Sequence, residues 1–266
     1  MFILLQRIVP QHLISRIVGL VANTRIKWIK NTFIKVIVKK YRVDLSEARV
    51  QEIEAFETFN AFFTRQLKPE ARPILGRFCS PADGTVSAVG AVNNKMIVQA
   101  KGVDYSLKNL LASSDHHVFD KGSFLTIYLS PRDYHRVHCP ANCLLNHARY
   151  IPGRLFSVNQ ATTRGVKDLF ADNERLVMDF VTDSGKMSVI MVGAMIVAAI
   201  KPAWREHPYQ ARQPFEETFS PPKPFRIGEE LGLFQMGSTA IVLFEERVEW
   251  LIAENDPVRM GEAIVE

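Results

Sequence analysis

The chain has 266 residues, of which 47% are hydrophobic, so it can bury one large core or two small ones and is not a disordered protein. Its formal net charge is +5 at pH 7, and no acidic residue occurs before Asp44. The three cysteines, Cys79, Cys139 and Cys143, form neither an even framework nor a paired C-x-x-C array. We therefore expect a reducing compartment and no metal site.

The basic segment before residue 44 predicts two short amphipathic helices, with Pro10 and the pair Asn23 and Thr24 as breaks. Their apolar positions recur at helical spacing, at Ile14, Ile17, Val18 and Val21 in the first and at Ile26, Ile29, Phe33 and Ile37 in the second. The uncharged stretches fall well short of the roughly 20 residues that cross a bilayer. The segment therefore favours helices that lie on an anionic membrane surface. Packing of the same faces on the protein's own core is the alternative.

Short strands are predicted after an acidic, helical stretch at residues 45–60. Residues 85–92 and 95–99 flank an Asn-Asn turn, and residues 175–181 and 187–200 flank the turn at residues 182–185, so both pairs predict hairpins. We predict an α+β fold. Residues 1–60 form a basic amphipathic helical region for membrane association, and residues 61–266 form a β-rich catalytic domain with barrel-sandwich-like strands.

A glycine precedes a serine at Gly237 and Ser238, where one strand-like run ends and another, residues 241–244, begins. A serine hydroxyl can attack the carbonyl of the residue before it, and glycine tolerates the strained backbone that this attack requires. If β-elimination follows, the serine becomes dehydroalanine, loses its nitrogen as ammonia and ends as a pyruvoyl group. The same tripeptide is also ordinary turn chemistry between two strands.

Two segments upstream can supply the base and the orienting acid that an activated serine needs. Residues 130–140, with the sequence SPRDYHRVHCP, contain His135 and His138. Residues 81–86, with the sequence PADGTV, place Asp83 at a tight turn before a strand.

Along the chain, the Asp83 turn comes first, the double-histidine segment second and the Gly-Ser site last. These three motifs in that order resemble the phosphatidylserine decarboxylase family. Further stretches agree with that family at residues 59–74, 99–107, 152–159 and 225–244, so the likeness covers nearly the whole chain. One departure is Met236, where the family commonly has leucine, and we expect little effect because both side chains are flexible and apolar.

The resemblance implies a proenzyme that cuts itself between Gly237 and Ser238 into a large chain, residues 1–237, and a small chain, residues 238–266. His138 would remove the Ser238 proton and Asp83 would orient His138. The pyruvoyl group derived from Ser238 is then the covalent cofactor, which forms a Schiff base with phosphatidylserine and yields phosphatidylethanolamine after loss of carbon dioxide. His135 is the expected proton donor in turnover, and Ser157 is carried over as a substrate-binding residue.

The expected partners are phosphatidylserine, an anionic membrane surface and the other chain of the same precursor, with a homodimer among the possible assemblies. We expect a peripheral protein on the cytoplasmic side of the cell membrane. Nucleic acid is not expected, because the basic residues alternate with aliphatic ones.

Two other functions stay open from the residues alone. The first is a membrane-associated serine hydrolase that uses Ser238, His138 and Asp83 on an external ester without self-cleavage. The second is a noncatalytic module that binds membranes through the basic helices.

Overall fold

The computed structural model describes residues 6, 10–100, 103–195, 199–209, 213–235 and 238–266. Among these residues six α-helices occur: α1 (Gln11–Ala22), α2 (Lys27–Tyr41), α3 (Phe59–Phe63), α4 (Leu107–Leu111), α5 (Gln160–Gly165) and α6 (Leu169–Asp172). No helix in this part of the chain is long and apolar enough to cross a bilayer.

The described strands are β1 (Gly84–Ala91), β2 (Met96–Ala100), β3 (Val103–Ser106), β4 (Ser123–Leu129), β5 (Arg136–His138), β6 (Cys143–Ile151), β7 (Arg175–Thr182), β8 (Gly185–Gly193), β9 (Ile200–Pro202), β10 (Phe215–Phe225), β11 (Glu230–Phe234), β12 (Ser238–Phe244) and β13 (Pro257–Val258). Eight of them form one antiparallel sheet in the order β10-β6-β7-β8-β12-β4-β1-β13. A smaller sheet has the order β5-β11-β9, and β2 pairs with β3. The mixed fold with a large sheet and short N-terminal helices confirms the predicted α+β class.

The large sheet is buried on both faces, which explains why β12 is a continuous apolar run after its first two residues. Ala240 and Val242 pack in one core cluster, and Ile241 and Leu243 pack in a second cluster on the opposite face. Because side chains alternate along a strand, Ser238 points to the face of Ala240 and Thr239 to the face of Ile241. All seven residues of β12 are buried.

The N-terminal helices pack on a small aromatic cluster of their own. Ile34 of α2 is fully buried there with Phe59, Phe62 and Phe63 of α3, and the rings of Phe33 and Phe59 stack at 4.2 Å. The cluster contains residues on both sides of position 60, and the predicted domain boundary at that position stays a prediction.

Two local expectations are wrong. The acidic stretch at residues 45–60 contains only a 3-10 turn, Ile53–Ala55, and the start of α3. Asn93 and Met96 close the predicted turn, but β1 pairs with β4 and β13, whereas β2 pairs with β3. The hairpin of β7 and β8 is confirmed, with Thr182 opposite Gly185.

Candidate active site

Ser238 lies where the large sheet gives way to the small one. As the first residue of β12 it pairs with Leu129 at the end of β4 and with Gly193 at the end of β8. On the other side of the junction, the N–H of Phe234 donates to the carbonyl of His135 at 3.1 Å. Gly237 and Met236 lie outside the described residues. The ends of several strands therefore meet around the serine.

The Ser238 side chain is fully buried, and its hydroxyl has no hydrogen-bond partner in the described part of the chain. A buried hydroxyl without a partner costs about 1–3 kcal/mol, so it requires an explanation such as stored strain or catalysis. Gly193 is the residue of β8 directly opposite Ser238. The structure thus presents an unpaired nucleophile in a buried setting.

His138 is buried, and both ring nitrogens have partners. Its Nδ1 lies 2.8 Å from the carbonyl oxygen of Gly228, and its Nε2 lies 3.0 Å from the hydroxyl of Tyr134. Because a carbonyl only accepts, Nδ1 carries the proton and Nε2 offers a lone pair to the tyrosine O–H. Burial lowers the pKa of His138, more than the bond to Gly228 and the nearby carboxylates raise it. The imidazole is therefore a neutral base with Nε2 as its basic atom.

Gly228 holds this histidine through an unusual backbone conformation. Its φ of +78° lies in the left-handed region that favours glycine. Its N–H donates to the carbonyl of Cys139 at 2.8 Å, next to His138. Gly228 thereby forms hydrogen bonds with two successive residues, His138 through its carbonyl and Cys139 through its N–H.

Asp83 is buried, but it does not contact His138 by a hydrogen bond. Its carboxylate accepts from Arg72 at 2.9 and 2.5 Å and from the N–H of Met260 at 2.8 Å. The two predicted residues are nevertheless neighbours, since the N–H of His138 donates to the carbonyl of Pro81 at 2.8 Å. Arg72 and His138 also line one cavity of about 370 Å³.

His135 is completely buried and differs from His138 in one respect. Its Nδ1 lies 2.8 Å from the carbonyl of Asp133, whereas its Nε2 has no partner among the described residues. Its ring packs at 4.0 Å from that of Phe63. Burial lowers the pKa of His135 to about 3, against a smaller opposite effect of the bond to Asp133. At neutral pH Nε2 is therefore an unprotonated, unpaired acceptor.

The strand register separates the two histidines along β11. His138 lies opposite Glu230, whereas His135 is bonded to Phe234, the end of β11 that is nearer to Ser238. They therefore occupy different positions relative to the serine, and no hydrogen bond joins Ser238 to either.

Ser157 is half-buried, and its N–H donates to the side chain of Gln6 at 2.9 Å. The segment is connected to the serine strand pair through Asn173, whose Nδ2 donates to the carbonyls of Phe156 and Gly193, each at 2.9 Å. Ser157 is thus close in the bonding network to Gly193, but it has no recorded contact with Ser238.

The sequence prediction missed three residues that hold the candidate site. Arg72 binds Asp83, and Tyr134 covers Nε2 of His138. Arg65 is buried and donates to the carbonyls of Arg132 and Asp133 at 2.9 and 3.4 Å, so it supports the peptide that orients His135. A signal existed for both arginines, because they lie in the stretch 59–74 that contributed to the resemblance.

Known proteins and protein families are similar to this chain over nearly its whole length. A family described as phosphatidylserine decarboxylase matches residues 59–266, and one described as PSD matches residues 1–42. A phosphatidylserine decarboxylase proenzyme of Alcanivorax borkumensis is 49% identical over 92% of this chain and 88% of its own length. Proteins of the same name from Pseudomonas fluorescens strain Pf-5 and Saccharophagus degradans are 45% and 47% identical, over 99% and 100% of this chain and 96% and 97% of their own lengths.

These matches show that the chain is an enzyme of the carboxy-lyase class. The chain belongs to the phosphatidylserine decarboxylase family.

Proposed function

We propose that the chain is a proenzyme that cuts its own bond between Gly237 and Ser238 and then decarboxylates phosphatidylserine to phosphatidylethanolamine. One observation carries this proposal. In a chain of this family, Ser238 is fully buried with an unpaired hydroxyl at the junction of two sheets.

The cleavage balances without any external oxidant or reductant. The Ser238 hydroxyl attacks the Gly237 carbonyl, so the amide becomes an ester and the nitrogen of residue 238 becomes a free amine. Loss of the α-proton of residue 238 then expels the Gly237 carboxylate and leaves dehydroalanine. Tautomerisation to an imine and attack by water release ammonia and leave a ketone at residue 238.

His138 is our proposed base for the serine, because its neutral Nε2 can accept the hydroxyl proton. Asp83 supports it electrostatically: burial lowers the pKa of His138, and the Asp83 charge is one of the effects that oppose this lowering. Since Tyr134 occupies Nε2, cleavage requires the tyrosine hydroxyl to release it and the serine segment to approach.

The surroundings of residue 238 fit a pyruvoyl group. Within the described part of the chain, the Ser238 hydroxyl and the Nε2 atom of His135 are both buried and have no hydrogen-bond partner. The group supplies an electron-withdrawing carbonyl for decarboxylation of an amine substrate. We propose that His135 takes a proton on Nε2 from the substrate ammonium group and returns it to the carbon that loses carbon dioxide. Because burial lowers the pKa of His135, Nε2 is unprotonated before substrate binds.

The two proposed chains, residues 1–237 and 238–266, would stay in one fold. β12 forms seven residue pairs with β4 and seven with β8, and it lies between two core clusters. Cutting the bond before Ser238 removes none of these pairs.

The intact mass of freshly purified, denatured protein tests the proposal. We expect two chains, with the small chain lacking a free amine, and release of carbon dioxide from phosphatidylserine vesicles. Ser238→Ala should give one uncut, inactive chain, whereas Ser184→Ala, in the turn between β7 and β8, should behave like the unaltered protein. An uncut chain that still reacts with lipid esters would instead support a serine hydrolase of Ser238, His138 and Asp83.

We also propose that the N-terminal helices dock on the anionic cytoplasmic leaflet of the cell membrane. Large apolar side chains of these helices are exposed to solvent. They are Leu13, Ile17, Leu20 and Val21 of α1, Ile26 just before α2, and Trp28 and Val36 of α2. Leu20 is 76% exposed and Trp28 is 73% exposed. Exposed basic residues surround them, at Arg25, Lys27, Lys35 and Lys39. Apolar burial and attraction to anionic lipid then act together.

Co-sedimentation with anionic vesicles tests this docking. Leu20→Ser combined with Trp28→Ser removes two apolar contacts that would each contribute about 1.5–3 kcal/mol when buried, so we expect binding to fall more than tenfold. Leu251→Ser, at a 52% exposed position outside the N-terminal helices, is the matched control. Equal binding by both variants would contradict the assignment.

A further inference from the structure

A second cavity, of about 430 Å³, opens beside β1 and the end of β4, the strand that pairs with β12. Tyr128 and Ser130 line it, and they flank Leu129, the residue that pairs with Ser238. Val158, which also lines it, follows Ser157 in the chain. The cavity therefore lies at the same end of β4 as the candidate active site, on the face of the sheet opposite the Ser238 side chain. Its volume lies in the range of small-molecule sites.

The walls of this cavity are basic. Four cationic side chains line it against one carboxylate, that of Glu254, and we call the set Lys40, Arg42, Arg132 and Arg164 the basic pocket. Arg132 has a carboxylate oxygen of Asp133 at 3.6 Å. The other three have no carboxylate oxygen within 4.0 Å in the part of the chain that the structure describes. The pocket thus offers a net positive charge that the protein itself does not neutralise.

The backbone directs two of these cations to the pocket. Arg42 ends α2 in a left-handed conformation, with φ 54° and ψ 49°, which turns the chain where the helix meets the cavity. Arg132 lies in the loop between Ser130 and His135, three residues before the proposed proton carrier in the chain.

The charge of the pocket selects between the two anionic groups of a phosphoserine headgroup. A cation beside the carboxylate would stabilise the reactant more than the neutral carbon dioxide that leaves, and would oppose the reaction. The phosphodiester keeps its charge throughout, and it is joined to the reacting amine by only the serine oxygen and a short carbon chain. It can therefore occupy a pocket at the same end of the sheet while the amine reaches residue 238.

We infer that the basic pocket binds the phosphodiester of the phospholipid substrate. This inference rests on the proposed function and assigns Lys40, Arg42, Arg132 and Arg164 to substrate binding. Arginine suits this task, because its planar guanidinium can donate two parallel hydrogen bonds to phosphate oxygens.

Steady-state kinetics test the inference on the cleaved enzyme. Arg132→Gln and Arg164→Gln should each raise KM for dispersed phosphatidylserine about tenfold, as expected for loss of a charge-assisted contact, with kcat changed less than about twofold. Arg164→Lys should restore part of the affinity. Lys167→Gln, an exposed charge just after α5 and outside the pocket, is the matched control. Equal KM values for Arg164→Gln and Lys167→Gln would overturn the inference.

Binding to uncut Ser238→Ala protein separates this inference from the proposed chemistry. Calorimetry with glycerophosphoserine should show binding that weakens about tenfold in Arg164→Gln, whereas free serine, which has no phosphate, should bind no better to one protein than to the other. This result can be obtained even if the unaltered protein releases no carbon dioxide. Failure of glycerophosphoserine to bind would overturn the inference alone.

A bilayer phospholipid other than the substrate could supply the same phosphodiester. In that case Arg164→Gln would weaken sedimentation with phosphatidylglycerol vesicles and leave KM for dispersed substrate unchanged. That outcome would overturn the assignment to substrate. We expect the reverse, with KM raised and vesicle binding within twofold of the unaltered protein.

Discussion

His138→Ala will leave the protein as a single uncut chain. The variant removes the neutral Nε2 that we propose as the base for Ser238, and general-base catalysis contributes about 10²- to 10⁴-fold to rate. Cleavage, which we expect to be complete in the purified unaltered protein, should therefore be absent, or slowed by at least about a hundredfold, in a time course of intact mass. His147→Ala, a histidine of the distant cluster beside Asp179 and Glu216, is the matched control and should cleave normally.

The pH dependence of cleavage gives a second measurement on the same residue. Burial lowers the pKa of His138, so the base stays neutral as pH falls through the ordinary histidine value. We expect the cleavage rate to stay level from pH 8 to about 6.5, the usual pKa of histidine, and to fall only at lower pH. A decline centred above pH 7 would indicate a different titrating group.

His135→Gln will cleave normally and lose decarboxylation. The variant keeps a side chain of similar size beside Phe63, but it removes the atom that we propose to carry a proton between the substrate amine and carbon. Two chains should appear by mass, while carbon dioxide release falls by about 10²- to 10⁴-fold. A melting temperature close to that of the unaltered protein would show that the fold is intact.

The register of β11 leaves one alternative assignment of the two histidines that the same variants can test. His135 lies nearer along the strand to Ser238 than His138 does, and its Nε2 is unpaired. If His135→Gln remains uncut and His138→Ala cleaves, His135 is the base for the serine and our two assignments are reversed. A serine hydrolase would lose ester hydrolysis in one variant or both and would show no division between cleavage and turnover.

Local turn chemistry was readable from the sequence, but strand partners were not. Asn94 and Lys95 adopt positive φ values of 49° and 63°, in keeping with the Asn-Asn turn signal. Pairing then followed burial across the chain: β1 joined β4 because their alternating apolar residues complete the two cores of the large sheet. The hairpin of β7 and β8 was predictable because both of its strands are central and apolar.

Tertiary ion pairs explain the missing helix at residues 45–60. Glu47 bonds to Arg72 at 2.8 Å and to Arg259 at 3.0 Å, two partners that are distant in sequence. Propensity for helix is a weak preference that such contacts override. The same limitation applies to the site. The motifs identified Asp83 and His138, whereas the bonds from Arg72 and to Gly228 depend on the folded chain.

The central position of β12 in the large sheet affects how the protein folds before cleavage and whether it can refold afterwards. Before cleavage, this strand enters the sheet as part of one molecule, tethered to β11 by a short connection, so its local concentration is high. After the proposed cleavage, a chain that unfolds would have to find a separate fragment, and refolding would become bimolecular. Folding would then be a one-time event that precedes maturation, and the persistence of the mature enzyme would be set by how slowly it unfolds rather than by how readily it refolds.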